Sequence, residues 1–434
     1  MKKVLLISPD TIAKKMAGPG IRYYNFAKEL SRSLDVSLYI PNKNTDIDEK
    51  NINFKIIKGV RRELKIAARD ADSIVVQGRA LRAYSFLKKL KKPIVVDIYD
   101  PITLENLELR KNLDFKTRLW FHETDLDLIL EQLAFGDYFI CASEKQKDYW
   151  LGMLAALNRV NPATYVEDNK MDALIGVVPF GLPNEAPVKT KRVLKGVWPG
   201  IEEEDKVIIW GGGIWNWFDP LSLIEAMNIV SKKRRDIKLF FMGIGHPTAI
   251  IDISTAEECI ELSKSYSLYN KTIFFNDWVP YEERQNYLLE SDIGISTYFN
   301  NLETRFSFRT RILDYIWCDL PMLLTKGDYM AEMVEREEIG LCHEEKAPEE
   351  IAEAILTMLE DEKLYSSSKA NIDKLKESYR WKNVIRDLES FCKNPKTSAD
   401  KRHKVNIHYK KTIIAMIKYY YVRVKNKLKK LLKS

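Results

Sequence analysis

The chain has 434 residues, 45% hydrophobic and 30% charged, the composition of a soluble globular protein with room for two domains and full cores. No segment reaches 18 uninterrupted apolar residues, which excludes a membrane-spanning helix. The net charge of +7 misleads as an average: residues 401–434 hold twelve Lys/Arg and no Asp or Glu, which leaves the first 400 residues net acidic at −5. The basic character is a tail property.

The N-terminal run Val4–Ser8 is too short for a signal peptide and no small-residue cleavage site follows, so it reads as a first buried strand. A loop ending Gly18-Pro19-Gly20 leads to an amphipathic helix over Ile21–Ser31, with Arg22 in its first turn. Further strands are expected at Val36–Ile40, Phe54–Ile57, Ser73–Gln77, Pro93–Asp97 and Tyr138–Ala142, with helices at Arg61–Arg69, Ala80–Leu90, Phe115–Ala134 and Ser143–Leu157. The Pro-rich stretch 179–187 is the expected hinge.

A second alternating series follows. Its strands are Val207–Trp210, Lys238–Met242, Ile273–Asn276, Ile293–Thr297 and Met322–Thr325. Its helices are Pro220–Ser231, Thr255–Tyr266, Tyr281–Ser291, Tyr329–Arg336, Pro348–Asp361 and Lys363–Glu377, with a closing helix over Trp381–Cys392. Strands alternating with helices argue for α/β domains with parallel sheets, whose ligands bind at the C-terminal strand ends. Cys141, Cys259, Cys318, Cys342 and Cys392 form no Cys-x-x-Cys, and the five histidines lack metal-ligand spacing. A reducing cytoplasm is expected, with no metal and no cofactor.

The most informative stretch runs from Glu303 to Pro321. After the strand at Ile293, helix periodicity places Phe308, Ile312, Tyr315 and Ile316 on one side, with Ser307 as the expected N-cap and Asp319-Leu320-Pro321 as the stop. A helix start carrying Arg305, Arg309 and Arg311 can seat an anion, because open amides and forked guanidinium hydrogen bonds both favour phosphate. Asp314 shares a helix face with Thr310 and Arg311 and can accept from sugar hydroxyls. A surface helix with arginines paired to Glu303 and Asp314 explains the same residues without any ligand.

This stretch resembles the signature of retaining glycosyltransferases of family 4, in which a Glu, a Gly-rich turn, a second Glu and a Gly-Leu-Pro follow in order. Aligned on Leu320-Pro321, Asp314 falls on the second glutamate, which in the family holds the donor ribose. The first falls on Phe306, and Glu303 is the substitute by a shifted loop. Gly18-Pro19-Gly20-x-Arg22 is also frequent in that family, and Trp215-Asn216-Trp217-x-Asp219-Pro220 resembles a subgroup often encoded for cell-surface polysaccharides. In most members the loop after Trp210 carries an Arg and, five residues on, a Lys that neutralise the donor diphosphate. Here those positions are Gly213 and Phe218, the largest departure from the pattern, and the arginines at 305, 309 and 311 are the available replacements.

The resemblance implies a GT-B fold: two Rossmann-like α/β domains facing an interdomain cleft. The expected boundaries are 1–185 for the acceptor domain, 186–375 for the donor domain and 376–400 for a crossover helix. It implies transfer of a sugar from a nucleotide-diphosphate donor to a saccharide or lipid-linked acceptor, retaining and without metal. Asp100, Glu303 and Arg309 are then expected at the chemistry. Gly18, Gly20, Arg22, Gly212, Gly213, Asn216, Gly243, Trp278, Val279, Arg305, Thr310, Arg311 and Asp314 are expected to hold the donor. An Asx turn before Pro101 is the bland account of Asp100, and a lone Gly243-x-Gly245 is weak. The rival readings are a non-catalytic scaffold that kept the fold, supported by the missing Arg/Lys pair, and a sugar-nucleotide epimerase.

Residues 401–434 carry an apolar stripe of Ile413, Ile417, Tyr420, Val424, Leu428 and Leu431 among lysines and arginines. That is a basic amphipathic helix suited to an anionic membrane surface, with no nucleic-acid partner expected. The implied location is cytoplasmic, on the inner face of the cell membrane.

Overall fold

The computed structural model describes residues 1–14, 16–244 and 254–409. The end of the Gly243-x-Gly245 turn and the amphipathic stripe from Ile413 onward lie outside the described residues. The chain divides into two compact units, Met1–Val178 with Ile385–Ser434, and Pro179–Val384. The first break falls at the start of the Pro-rich stretch, seven residues before the boundary expected at 185/186.

The first unit is built on seven strands: β1 (Lys3–Ile7), β2 (Asp35–Ile40), β3 (Lys55–Lys58), β4 (Ser73–Gln77), β5 (Ile94–Asp97), β6 (Tyr138–Cys141) and β7 (Ile175–Val177). Their order is β3-β2-β1-β4-β5-β6-β7. The second unit orders its six strands as β10-β9-β8-β11-β12-β13. These are β8 (Lys206–Trp210), β9 (Ile237–Phe241), β10 (Ile273–Phe275), β11 (Ile293–Ser296), β12 (Met322–Thr325) and β13 (Gly340–His343). All pairings within the two sheets are parallel. Strands buried on both faces explain the near-continuous apolar runs of the sequence, such as Val207-Ile-Ile-Trp210, each residue of which is buried.

Three local expectations are corrected. Ser307 does not cap the key helix. Asn301 caps a short helix, Leu302–Phe306, by accepting from Thr304 N, and a second helix, Thr310–Trp317, starts after Arg309 without a side-chain cap. The closing helix is two pieces, Trp381–Val384 and Arg386–Lys393, broken where the chain passes back into the first unit. The sheet edge β13 went unread because Gly340-Leu-Cys-His is short and only its last residue is fully buried.

The segments entering and leaving the second unit run side by side. Leu182 N donates to Tyr379 O at 2.7 Å and Trp381 N to Leu182 O at 3.0 Å.

Candidate functional site

In an open parallel sheet the loops diverge where strand order reverses, and the crevice they leave at the C-terminal strand ends is where ligands sit. In the second unit that point lies between β8 and β11. The loops leaving these strands are laced together. Phe218 forms an antiparallel bridge with Tyr298, Asp219 N donates to Thr297 O at 3.0 Å, and the Thr297 hydroxyl donates to Asp219 O at 2.5 Å. Gly212 holds φ +97° in the first loop, a backbone state that disfavours any residue with a Cβ.

Below the loops, Tyr315 staples the two strands. Its hydroxyl accepts from Gly211 N at 2.8 Å and donates to Ile295 O at 2.8 Å. Gly294 makes the room, since a Cβ there would stand 2.5 Å from the Tyr315 ring. Sequence periodicity had assigned Tyr315 only a helix face. The signal for its role is the glycine inside an otherwise apolar strand.

The three arginines of the signature separate into three environments. Arg305 is exposed, with its guanidinium 5.5 Å from the Phe306 ring. Arg309 is enclosed: Nη2 donates to Glu303 Oε2 at 2.8 Å, Nε lies 3.7 Å from Asp328 Oδ2, and the Phe218 and Tyr298 rings stand 5.0 Å away. Glu303 is buried with it. Glu303 and Arg309, both expected at the chemistry, form an internal ion pair. Asp328 also caps the Tyr329–Glu337 helix through Ala331 N at 2.7 Å. Burial pushes its carboxyl up to about 6, against the pull of Arg309.

Arg311 differs from both: it is partly buried, and among the described residues no carboxylate pairs with it. Its Nη2 donates to Gly213 O at 2.9 Å, and its guanidinium lies 4.1 Å from the Phe218 ring and 5.0 Å from the Trp210 ring. Gly213 and Phe218 are the two positions at which the resembling family carries its Arg and Lys. Nη1 is shielded from solvent and has no hydrogen-bond partner. Burial, with Arg309 adding repulsion, pulls the Arg311 guanidinium down to about 10. A partly buried guanidinium without a carboxylate partner at a sheet divergence has the chemistry to bind an anion. Thr310 is exposed in the first turn of the same helix, whose leading amides have no side-chain cap.

Asp314 lies one turn further along. Its Oδ1 accepts from Arg284 Nε at 2.9 Å. Arg284, a residue sequence reasoning passed over, lies 3.7 Å from the Tyr281 ring and 4.6 Å from the Trp317 ring, with Nη2 buried and unpartnered. Trp278 is 39% exposed while Val279 is buried, and the Trp278 ring packs at Gly243. Asn216 sits partly buried in the β8 loop between Trp215 and Trp217, whose rings tilt together with centroids 6.2 Å apart. Neither tryptophan is wholly core nor a free platform.

In the first unit the corresponding divergence lies between β1 and β4. Gly18 and Gly20 fall in the first turn of the helix after β1, which also contains Arg22. Arg22 is 1% exposed. Nε donates to Asp97 Oδ2 at 2.8 Å, and Nη2 donates to Asp97 Oδ1 at 3.1 Å and to Val178 O at 2.8 Å. The rings of Phe26 and Tyr99 close over it at 4.5 and 4.6 Å. The fork of Arg22, a residue expected to hold the donor, is engaged by Asp97. Asp100 is exposed just past β5, and its carbonyl accepts from Ile102 N at 2.7 Å.

Two α/β units, each on an open parallel sheet, make the GT-B architecture. Residues 205–361, within the second unit, match the family described as glycosyl transferases group 1. The whole chain is similar in fold to sucrose-phosphate synthase from Thermosynechococcus elongatus, at 15% identity over 91% of this chain and 98% of that one, TM-score 0.62. It is likewise similar to HepE of Anabaena in complex with UDP-glucose, at 14% identity over 91% and 100% of the two chains, TM-score 0.63. A third similar structure is WaaG, a glycosyltransferase involved in lipopolysaccharide biosynthesis, at 13% identity over 90% and 100%, TM-score 0.60. No curated protein matches the chain in sequence.

Proposed function

We propose that the chain is a glycosyltransferase that moves a sugar from a nucleotide-diphosphate donor to a saccharide or lipid-linked acceptor in cell-surface polysaccharide synthesis. The observation that carries this reading is Arg311, a carboxylate-free guanidinium held against Gly213 and Phe218 at the divergence of the second sheet. It supplies positive charge where the resembling family has its Arg and Lys, and it answers the main argument for an inactive scaffold. The group 1 match over 205–361 and the likeness to a fold bound to UDP-glucose support the same assignment.

In this reading Arg311 and the uncapped amides at Thr310 hold the diphosphate. They stabilise the charge that builds on it as the bond from the anomeric carbon to the phosphate oxygen breaks. The acceptor hydroxyl attacks on the same face, its proton passes to the leaving diphosphate, and configuration is retained without a metal. Asp314 holds the ribose, Trp278 and Val279 flank the base, and Asp100 in the first unit meets the acceptor. Glu303, Arg309 and Asp328 act indirectly, by fixing the loop that presents Arg311. Location at the inner face of the cell membrane, through the basic tail, belongs to the same proposal.

The test is a thermal-shift and calorimetric screen against UDP, GDP, dTDP and ADP and their sugars. A ligand at 100 times its Kd stabilises by about 2.7 kcal/mol. A diphosphate that shifts melting where its nucleoside does not is the expected result. No shift with any diphosphate would overturn the reading.

A further inference from the structure

Away from the divergence of its sheet, the first unit holds a cavity of about 540 Å³, within the size range of small-molecule sites. It lies at the sheet edge formed by β7, three strands from β4 and so about 14 Å across the sheet from the β1–β4 divergence. The helix Arg386–Lys393 covers that edge, and Val177 N donates to Asp387 Oδ2 at 3.2 Å. Tyr138 and Asp387 line the cavity, as do Glu144 and Lys147 from the start of the helix Glu144–Ala156.

The cavity is built around a hydroxyl without a partner. Tyr138 is 4% exposed, yet its phenol oxygen hydrogen-bonds to none of the described residues. That oxygen stands over Gly176, where a Cβ would collide with it and would come within 2.9 Å of Asp387 Oδ2. Glycine in the edge strand thus leaves room for the hydroxyl beside the carboxylate. Burial and the nearby Asp387 charge push the phenol's pKa above its usual value, so it remains a donor at neutral pH. The Phe391 ring stacks on Tyr138 with centroids 4.6 Å apart and fixes the direction of the phenol. A hydroxyl so enclosed costs free energy unless something in the cavity answers it.

The charges around the hydroxyl select the class of ligand. Lys147 pairs with Asp172 at 2.5 Å and Lys396 with Glu167 at 2.8 Å, while Glu144 and Asp387 form no ion pair among the described residues. An anion would meet the carboxylates of Glu144, Asp172 and Asp387, and a cation would meet the two lysines. A neutral ligand rich in hydroxyls meets neither penalty. We infer that this edge cavity binds a neutral saccharide, outside the donor seat and the acceptor contact proposed above. The open carboxylate oxygens accept from neighbouring sugar hydroxyls, and Tyr138 donates to a sugar oxygen. Phe391, only partly buried, offers apolar surface to the sugar's C–H groups. Binding here does not depend on the transfer reaction.

Saturation-transfer NMR on the full chain tests this, with glucose, galactose, mannose, rhamnose and N-acetylglucosamine as probes and UDP present in excess. At least one sugar is expected to receive saturation from the wild type. Y138F/D387N keeps both side-chain shapes and the ring stack, so melting should be unchanged while affinity for that sugar falls at least about fivefold. Glu144→Gln, at an exposed side chain, should weaken binding by a smaller factor without any route through folding. Asp100→Ala should leave it unchanged. No signal from any sugar overturns the inference, as does equal binding by the wild type and Y138F/D387N. A lower melting temperature for Tyr138→Phe alone would show that the hydroxyl has a structural partner and would overturn it too. Loss of binding in Asp100→Ala with none in Y138F/D387N would place the sugar at the proposed acceptor contact, against this inference and in favour of that reading. Spermidine or inorganic phosphate that binds with the same dependence on Tyr138 and Asp387 would make the cavity a site for a charged ligand and overturn the inference as well.

Discussion

Both units place an arginine beside the divergence of a parallel sheet, and the two arginines have opposite fates. Arg22 in the first unit is locked by both oxygens of Asp97 and by Val178 O, between two aromatic rings. Arg311 in the second unit has aromatic neighbours too, but a backbone carbonyl in place of a carboxylate. The same side chain, on the helix after β1 in one unit and on a helix after β11 in the other, is a structural ion pair in the first and lacks a carboxylate partner in the second. What decides is whether a carboxylate arrives at the end of a neighbouring strand, as Asp97 does on β5.

Removing that carboxylate is the strongest way to break the comparison. Asp97→Ala strands a buried guanidinium, and the expected loss is about 3–5 kcal/mol, read by chemical denaturation. Arg22→Met, which removes the charge with its partner's need only partly met, should cost less than Asp97→Ala. If Asp97→Ala unfolds at the wild-type midpoint, Arg22 is not held by the pair and belongs with Arg311.

The next effect concerns the acid side of the Arg309 pair. The Asp328 carboxyl is raised in the folded protein to about 6, chiefly by burial, so folding favours its protonated form. The resulting stability is fully present below the unfolded value near 4 and is lost as pH rises through 6. A rise of that size corresponds to about 3 kcal/mol. Asp328→Asn keeps the cap on Ala331 N and removes the titration. The stability of the wild type relative to Asp328→Asn is expected to fall by most of that amount between pH 4 and 7. A difference that stays constant over this window would show that Asp328 ionises as a surface carboxylate does.

Arg311→Met sharpens the comparison from the binding side. It should weaken nucleoside diphosphate binding by about 1.5–3 kcal/mol, the worth of charged hydrogen bonds, with little effect on the nucleoside. Equal losses for the two ligands in calorimetry would make Arg311 structural, like Arg22.

The fold was legible because alternation of buried strands and amphipathic helices is a local property. The strands β1, β4, β8 and β12 sit within one residue of the positions their apolar runs mark. The helix Ile102–Leu109 was missed because Pro101 reads as the end of a turn, yet proline also suits the entry to a helix. The site was legible in its loops but not in its pairings. Asp97 is 75 residues from Arg22 and Arg284 is 30 from Asp314, and no local pattern reports such partners. Hence the sequence offers four arginines as equals, at 22, 305, 309 and 311, and only the fold tells the paired from the unpaired.

The smallest effect tests the pair that is half open. Asp314 gives Oδ1 to Arg284 and keeps its side chain 30% exposed, an environment between those of Asp97 and Asp100. With one oxygen committed, a single acceptor remains for a ribose hydroxyl. Asp314→Asn exchanges a charged acceptor for a neutral amide of the same shape, so the loss in ribonucleotide affinity should be about 0.5–1.5 kcal/mol. The corresponding 2′-deoxynucleotide, which lacks one hydroxyl, should lose less. Arg284→Met separates the two roles of the carboxylate. If Arg284 only orients Asp314, this variant should weaken ribonucleotide binding by a similar amount and add little to Asp314→Asn in the double variant. Additive losses in that cycle would mean that Arg284, with its unpartnered Nη2, touches the ligand itself, and the second unit would then hold two open arginines against the first unit's closed one.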